Sequence, residues 1–306
     1  PAWSPELAAA LQAHDAGLAQ LTPALTAGEP PSEDDAPDTL RISNRVWPAV
    51  GVEPDQDYLD AVATAFDAAV EPLDYADPSG SALDRINDSV SQDTAGMIDP
   101  LLEALHPSTA MVLTNALHLE ARWAKPFEST HDGAFTTPHG TVETPMMSGA
   151  GGTLQEHDGW QAVALPYRDG TLEAVAVLPP SGTEPCGLDA ATLDRLDESP
   201  SQDVAVAMPR LEIERRHELL PPLEELGLDP LGDYGGLGTA AQISQVVQEV
   251  ALRVDEDGTE AAAATAIGLE VSAPQYTEID RPFLLLLRDT RTGSPLMVSV
   301  VNDPTA

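Results

Sequence analysis

The chain has 306 residues, 42% of them hydrophobic, enough to bury a sizeable core and too apolar for a disordered polymer. Acidic residues outnumber basic ones 51 to 14, a formal net charge of -37, so nucleic acid and anionic membranes make poor partners. No apolar run approaches the ~20 residues that span a bilayer.

Two readings of the acidity stay open: an acidic proteome of a high-GC genome, and adaptation to high salt, where screening relieves self-repulsion over a few ångströms. Cys186 is the only cysteine, which rules out an intramolecular disulfide framework and a thiolate-rich metal site. With nothing cationic beside it in the sequence, it is expected to be a small packed hydrophobe. The chain opens on Pro1, with neither an initiator Met nor a signal-peptide pattern.

In chain order, Ser4 to Thr26 carries apolar residues at helical spacing, with Ser4-Pro5-Glu6 as a start signal. Residues 28–38 (GEPPSEDDAPD) form an acidic, proline-rich linker. Leu40, Ile42 and Val46 predict a strand leading to Trp47. Tyr58 to Val70 predicts a helix, and so does Leu83 to Leu105, where Ile86, Val90, Ile98, Leu101, Leu102 and Leu105 share an apolar face. From Met111 onward the pattern favours strands: 111–113, 172–178, 204–213, 246–254, 283–287 and 296–301. One more helix is predicted between Glu214 and Leu228, with Leu219, Leu223 and Leu226 on one side. Helices come first and strands later, without βαβ alternation, which argues for an α+β fold.

The sequence holds no phosphate loop and no nucleophile elbow. His217-Glu218 begins like a zinc-protease helix, but the second histidine is missing and Pro221-Pro222 occupy that turn. His131 and His139 read as exposed loop residues, and the histidines show no metal-ligand spacing. Carboxylate pairs are too common here to single out an acid–base site. No cofactor and no metal are implied. Asn87-Asp88-Ser89 fits a glycosylation sequon, a match that chance also supplies.

The unusual segment is Asp255 to Thr265 (DEDGTEAAAAT). A strand pattern through Val250, Leu252 and Val254 runs into an acidic cluster, then a glycine, then a string of small residues. As a strand, it would place Thr259, Ala261, Ala263 and Thr265 on one face and Glu260, Ala262 and Ala264 on the other. An Ala-rich helix start or a flexible linker is the alternative.

This segment resembles the hinge of the reactive loop in the serpin family, and other landmarks of that family follow in order. Ile86-Asn87-Asp88-Ser89-Val90 with Thr94-Ala95-Gly96-Met97-Ile98 resembles a family helix. Thr114-Asn115-Ala116 followed by Arg122-Trp123 and Pro126-Phe127 resembles a family strand. Thr144-Pro145-Met146-Met147, Leu165-Pro166-Tyr167, Met208-Pro209-Arg210-Leu211-Glu212-Ile213-Glu214 and Arg281-Pro282-Phe283-Leu284 with Thr292-Gly293 complete the series. The resemblance covers residues 39 to 306 and implies a single domain of a prokaryotic-type member. Residues 1–38 lack the family's first helices, so the chain is expected to be an N-terminally incomplete member.

The resemblance implies a serpin fold: a large mixed or antiparallel central sheet, smaller sheets, surrounding helices and an exposed reactive loop over about 256–278. It implies a protease inhibitor rather than an enzyme. A serine protease attacks the loop, forms a covalent acyl complex, and is trapped as the cut loop inserts into the sheet. The hinge is then Gly258, Thr259, Glu260, Ala261, Ala262, Ala263, Ala264 and Thr265. Counting from Gly258 puts the reactive bond at Ser272-Ala273; counting back from Pro282 gives Val271-Ser272. Either suits an elastase-like or subtilisin-like protease, since the loop has no basic residue before Arg281. Asn115, Trp123 and Gln248 fall in the region where the sheet opens, Gln248 standing where many members carry a histidine. A monomer is implied, extracellular by family analogy. The alternative is a non-inhibitory or inactive binding protein on the same fold.

Overall fold

A computed structural model describes residues 39–66, 68–77, 79–105, 109–168, 170–227, 229, 247–259 and 275–305. Spatial proximity groups the described residues into two units, one over 40–118 and 214–251, the other over 119–213 and 252–305 with Thr39.

The first unit begins with strand β1 (Thr39–Pro48), helix α1 (Gln56–Phe66), the short strand β2 (Ala69–Val70), helix α2 (Ser81–Asp93) and the start of strand β3 (Met111–Arg122). β2 runs parallel beside β1, which lies next to β3. Trp47, fully buried, donates its indole N–H to Thr114 Oγ1 at 3.0 Å. Tyr75, Ile86, Val90, Ile98, Leu101 and Leu102 pack around it.

The predicted helix over 83–105 ends early, because Ala95 and Gly96 take positive φ of 53° and 85°. The apolar face nevertheless continues: Ile98, Leu101 and Leu102 reach the same cluster as Ile86 and Val90 without helical backbone. Asn87 fixes that turn back onto α2, accepting from Leu102 N–H and donating to Leu102 O at 2.9 and 2.8 Å. The sequon asparagine is thus engaged in the fold.

The second unit is dominated by an eight-stranded sheet. Its members are β4 (Ser129–Thr137), β5 (Gly140–His157), β6 (Trp160–Pro166), β7 (Leu172–Leu178), β8 (Gln202–Pro209), β12 (Gln275–Glu278), β13 (Phe283–Asp289) and β14 (Pro295–Val301). The order is β12-β8-β5-β6-β7-β13-β14, with β4 paired to β5.

β6, β7 and β13 are near-continuous apolar runs, as strands buried on both faces must be. Trp160, Ala162, Ala164, Val175, Val177, Leu284 and Leu286 form one face and pack on Leu196 of helix α3 (Ala190–Asp197). β5 turns into β6 through Asp158-Gly159, both with positive φ, the geometry that matches strand twist in a two-residue hairpin. Gly152 lets β5 lie against its neighbour: a Cβ there would stand 2.7 Å from Ala164 O and 3.0 Å from Val206.

Strands β9 (Leu211–Glu218), β10 (Val247–Val254) and β11 (Gly258–Thr259) complete the chain, with helix α4 (Leu220–Glu225). Within the second unit the end of β3 is followed by β11, β10 and β9 in that order. The helix predicted over 214–228 is a strand to Glu218 and then only a short helix. Pro221 and Pro222 are tolerated in a first turn and not in a helix interior. Cys186, expected to pack inside, is exposed in the connection before α3.

Replacing Gly152 by Ala is expected to lower the unfolding free energy by about 1–3 kcal/mol through overpacking, read from chemical denaturation curves.

Candidate functional site

Residues 255–259 make a tight turn at the end of β10. Asp255 N–H donates to Gly258 O at 2.9 Å, and the Asp255 carboxylate accepts from the N–H groups of Asp257 and Gly258 at 3.0 and 3.2 Å. The turn feeds β11 into the space beside β3. Gly258 pairs with Arg122 and Thr259 with Ala121, while Thr259 faces Val254 on the other side. Both residues are buried.

Only glycine fits at 258. A Cβ would lie 2.1 Å from Ala121 O and 2.7 Å from Arg122 Cα, and neither backbone atom can give way cheaply. Two more backbone bonds anchor the turn: Trp123 N–H to Asp257 O and Phe127 N–H to Glu256 O, each 2.9 Å.

The side chains of Trp123 and Tyr167 close the site. Their rings stack at 4.6 Å and 11°, and Phe127 meets Trp123 edge-on at 6.3 Å. The Trp123 indole N–H donates to Asp255 O at 3.0 Å. The Tyr167 hydroxyl shares a 2.6 Å hydrogen bond with Thr259 Oγ1.

Carboxylates and cations surround the turn unevenly. Arg210 Nη2 reaches Glu256 at 2.6 Å, and Thr130 Oγ1 also donates to that carboxylate. Burial pushes the Glu256 carboxyl up, but the hydrogen bonds from Thr130 and Arg210 and the arginine's charge outweigh it and hold the group below its usual range. Asp255 moves the other way. Desolvation raises it, the turn amides pull it down, and the charges of Asp257 and Glu256 add to the rise. Among the described residues no group of three or more His, Cys, Asp or Glu side chains is arranged to hold a metal ion.

The residues singled out from the sequence divide three ways. Gly258, Thr259 and Trp123 come together in this site. Asn115 lies in the other unit, where its amide donates to Asn44 Oδ1 at 2.8 Å, and the backbone of Gln248 belongs to β10. Glu260 to Thr265, and Val271, Ser272 and Ala273, lie outside the described residues. Tyr167, Arg210, Thr130 and Glu256 were not singled out as site residues. Tyr167 and Arg210 sit inside motif segments, and that was the available signal.

A family model described as Serpin (serine protease inhibitor) matches residues 6–304. This chain belongs to the serpin family. A serpin-like protein of Thermococcus kodakarensis is 30% identical over 291 residues, covering 89% of this serpin and 68% of its relative. Glia-derived nexin of Homo sapiens is 28% identical over 297 residues, covering 87% and 74% of the two chains. Among solved structures, a thyroxine-binding globulin complex with thyroxine matches with a TM-score of 0.77 at 25% identity, covering 96% of this chain and 82% of that one. The native state of the thermophilic serpin Tengpin gives the same TM-score at 24% identity, covering 92% and 77%. The fold is therefore the α+β serpin fold. No helix among the described residues is long and apolar enough to cross a membrane.

The two acidic neighbours should respond oppositely to pH. Glu256 has a lowered pKa in the fold, so its contribution is present above the unfolded value and fades as pH falls through the folded one. Arg210→Ala is expected to cost up to about 1 kcal/mol at pH 7, the partly exposed pair being screened, with the loss vanishing in strong acid. Asp255 has a raised pKa, so its ionisation opposes folding at neutral pH. Asp255→Asn keeps an acceptor for the turn amides and is expected to raise stability at pH 7 and change little below pH 3. Denaturant titrations across pH read both.

Proposed function

We propose that this serpin inhibits serine proteases as a suicide substrate, by inserting its cut reactive loop between β3 and β10. The observation that carries the reading is the placement of β11. The first two hinge residues lie buried between those strands, at the point where an inserting strand would enter. The residues that follow in sequence are Glu260 and then five small residues to Thr265; in a strand, Ala261, Ala263 and Thr265 would share the face of Thr259 and Glu260 would take the other, a pattern compatible with a strand covered on one side. About a dozen inserted residues at roughly 1 kcal/mol per ladder bond would supply on the order of 10 kcal/mol, comparable with a whole domain's stability. Release on that scale is enough to distort an attached enzyme.

The reactive bond is proposed at Ser272-Ala273, with Val271-Ser272 as its neighbour, and the target as an elastase-like or subtilisin-like protease held as a covalent acyl complex by a monomeric inhibitor. Glia-derived nexin and the serpin-like protein of Thermococcus kodakarensis support the family setting of this reading. Thyroxine-binding globulin, by its name, binds thyroxine on the same fold, so the alternative is a binding protein without inhibitory action.

Incubation with subtilisin and with pancreatic elastase, followed by denaturing gels, tests the reading. A high-mass band that survives denaturation is expected, and Thr259→Arg is expected to abolish it while the loop is still cut. Quantitative cleavage of the wild-type loop without such a band would sink the proposal.

A further inference from the structure

We infer that Tyr276 is a specificity-determining residue, an aromatic anchor that engages the target protease on the far side of the cut. It favours enzymes whose rim there carries an aromatic or long aliphatic side chain. This rests on the inhibitory reading above and on its reactive bond at Ser272-Ala273.

Tyr276 is the one aromatic among the large hydrophobic side chains that the described residues expose, at 54%. The pairing of β12 explains why it stands out. Thr277 pairs with Val206, Val206 pairs with Ala150, and all three are buried, so that face of the strand looks into the core. Tyr276 takes the opposite face by alternation. Its cross-strand neighbours there are Ala205 of β8 and then Gly151 of β5. Neither offers more than a methyl group to cover the ring. Beyond them the stem of Lys125 closes the row, since a Cβ at Gly151 would stand 2.8 Å from Lys125 Cδ. The result is a shallow trough two strand spacings, or about 10 Å, across. A phenol ring walls one side and a lysine stem the other, a setting that suits an apolar side chain of a partner.

The trough lies where a bound protease would sit. Tyr276 is the fourth residue after the reactive bond, at most about 14 Å away along extended backbone. An interface of about 800 Å² per partner corresponds to a disc of about 16 Å radius. An enzyme centred on the bond therefore covers Tyr276.

The ring is also held in advance. β12 pairs with β8 along all four of its residues. Just after it, Ile279 N–H donates to Ala207 O and Thr136 N–H donates to Asp280 O, each at 2.8 Å. Fixed on a strand, with two side-chain torsions to freeze, Tyr276 loses little entropy on contact.

Rates of covalent complex formation with subtilisin and with pancreatic elastase test the anchor. Tyr276→Ala is expected to slow at least one of them by fivefold or more, up to about thirtyfold. Tyr276→Phe is expected to stay within about twofold of wild type, because the ring and trough survive. Ala205→Gln, which fills the trough, is expected to slow the same enzyme. A loss below fivefold in Tyr276→Ala with both enzymes would overturn the anchor. The variant is expected to keep the wild-type unfolding midpoint and the wild-type ratio of trapped to cleaved product, since the anchor acts before the bond is attacked. A lowered midpoint or a changed ratio would report a structural role instead and also overturn it. Mass spectrometry of the cut chain locates the bond, and a cut more than one residue from Ser272-Ala273 overturns the anchor together with the bond assignment. If wild type is cut there but traps nothing, the same comparison is read in cleavage rates: slowed cleavage of Tyr276→Ala upholds the anchor while the inhibitory reading falls.

Discussion

The carbonyl of Ala121 leaves no space for a methyl group at position 258, and that steric limit organises the region through which this serpin would act. Because Gly258 passes so close to β3, the following residue arrives already paired, with its side chain turned onto Tyr167. The Asp255 carboxylate holds the Gly258 amide and Tyr167 meets Thr259, while Arg210 grips Glu256 two residues upstream. A bulkier residue at 258 would separate them all, since the obstruction is backbone and has no rotamer to yield.

The acidity of the chain gives its few cations a particular distribution. Arg45 meets Asp93, Arg85 meets Glu71, Arg210 meets Glu256, Arg253 meets Glu212, and Arg288 bridges Glu173 and Asp197. Each joins segments distant in sequence. Most are surface pairs, individually weak and sensitive to salt. Arg288 differs: only 11% exposed and held by two carboxylates, it ties β13, β7 and α3 together in a drier setting. High ionic strength would thus relax general self-repulsion while leaving that bridge largely intact.

Much of the fold was legible because its signals are local. The apolar runs of β7, β13 and β14 and the small-residue hinge stand out in a window of a few residues. β4, β5 and β6 did not: Gly149, Gly151 and Gly152 dilute the alternation in β5, Gly149 at the bulge between Ser148 and Ala150, Gly151 against the Lys125 side chain and Gly152 where Ala164 approaches. The helix predicted over 214–228 followed leucine spacing, whereas pairing of β9 with a distant strand decided the outcome. In the site, Trp123 and the hinge were visible and their partners were not. Tyr167 lies 92 residues from Thr259, and Arg210 lies 46 from Glu256, so only the folded backbone brings them together.

The indole of Trp123 has one more property. It stacks on a phenol ring and bonds to the Asp255 carbonyl in the turn just before the hinge, so its emission depends on both. Trp47 and Trp160, the other tryptophans among the described residues, are buried in packing clusters that contain no residue of the hinge turn. The chain therefore carries an intrinsic optical probe at the mouth of its own slot. On the insertion proposal, strand entry would be followed in real time by fluorescence, with no label attached to the loop.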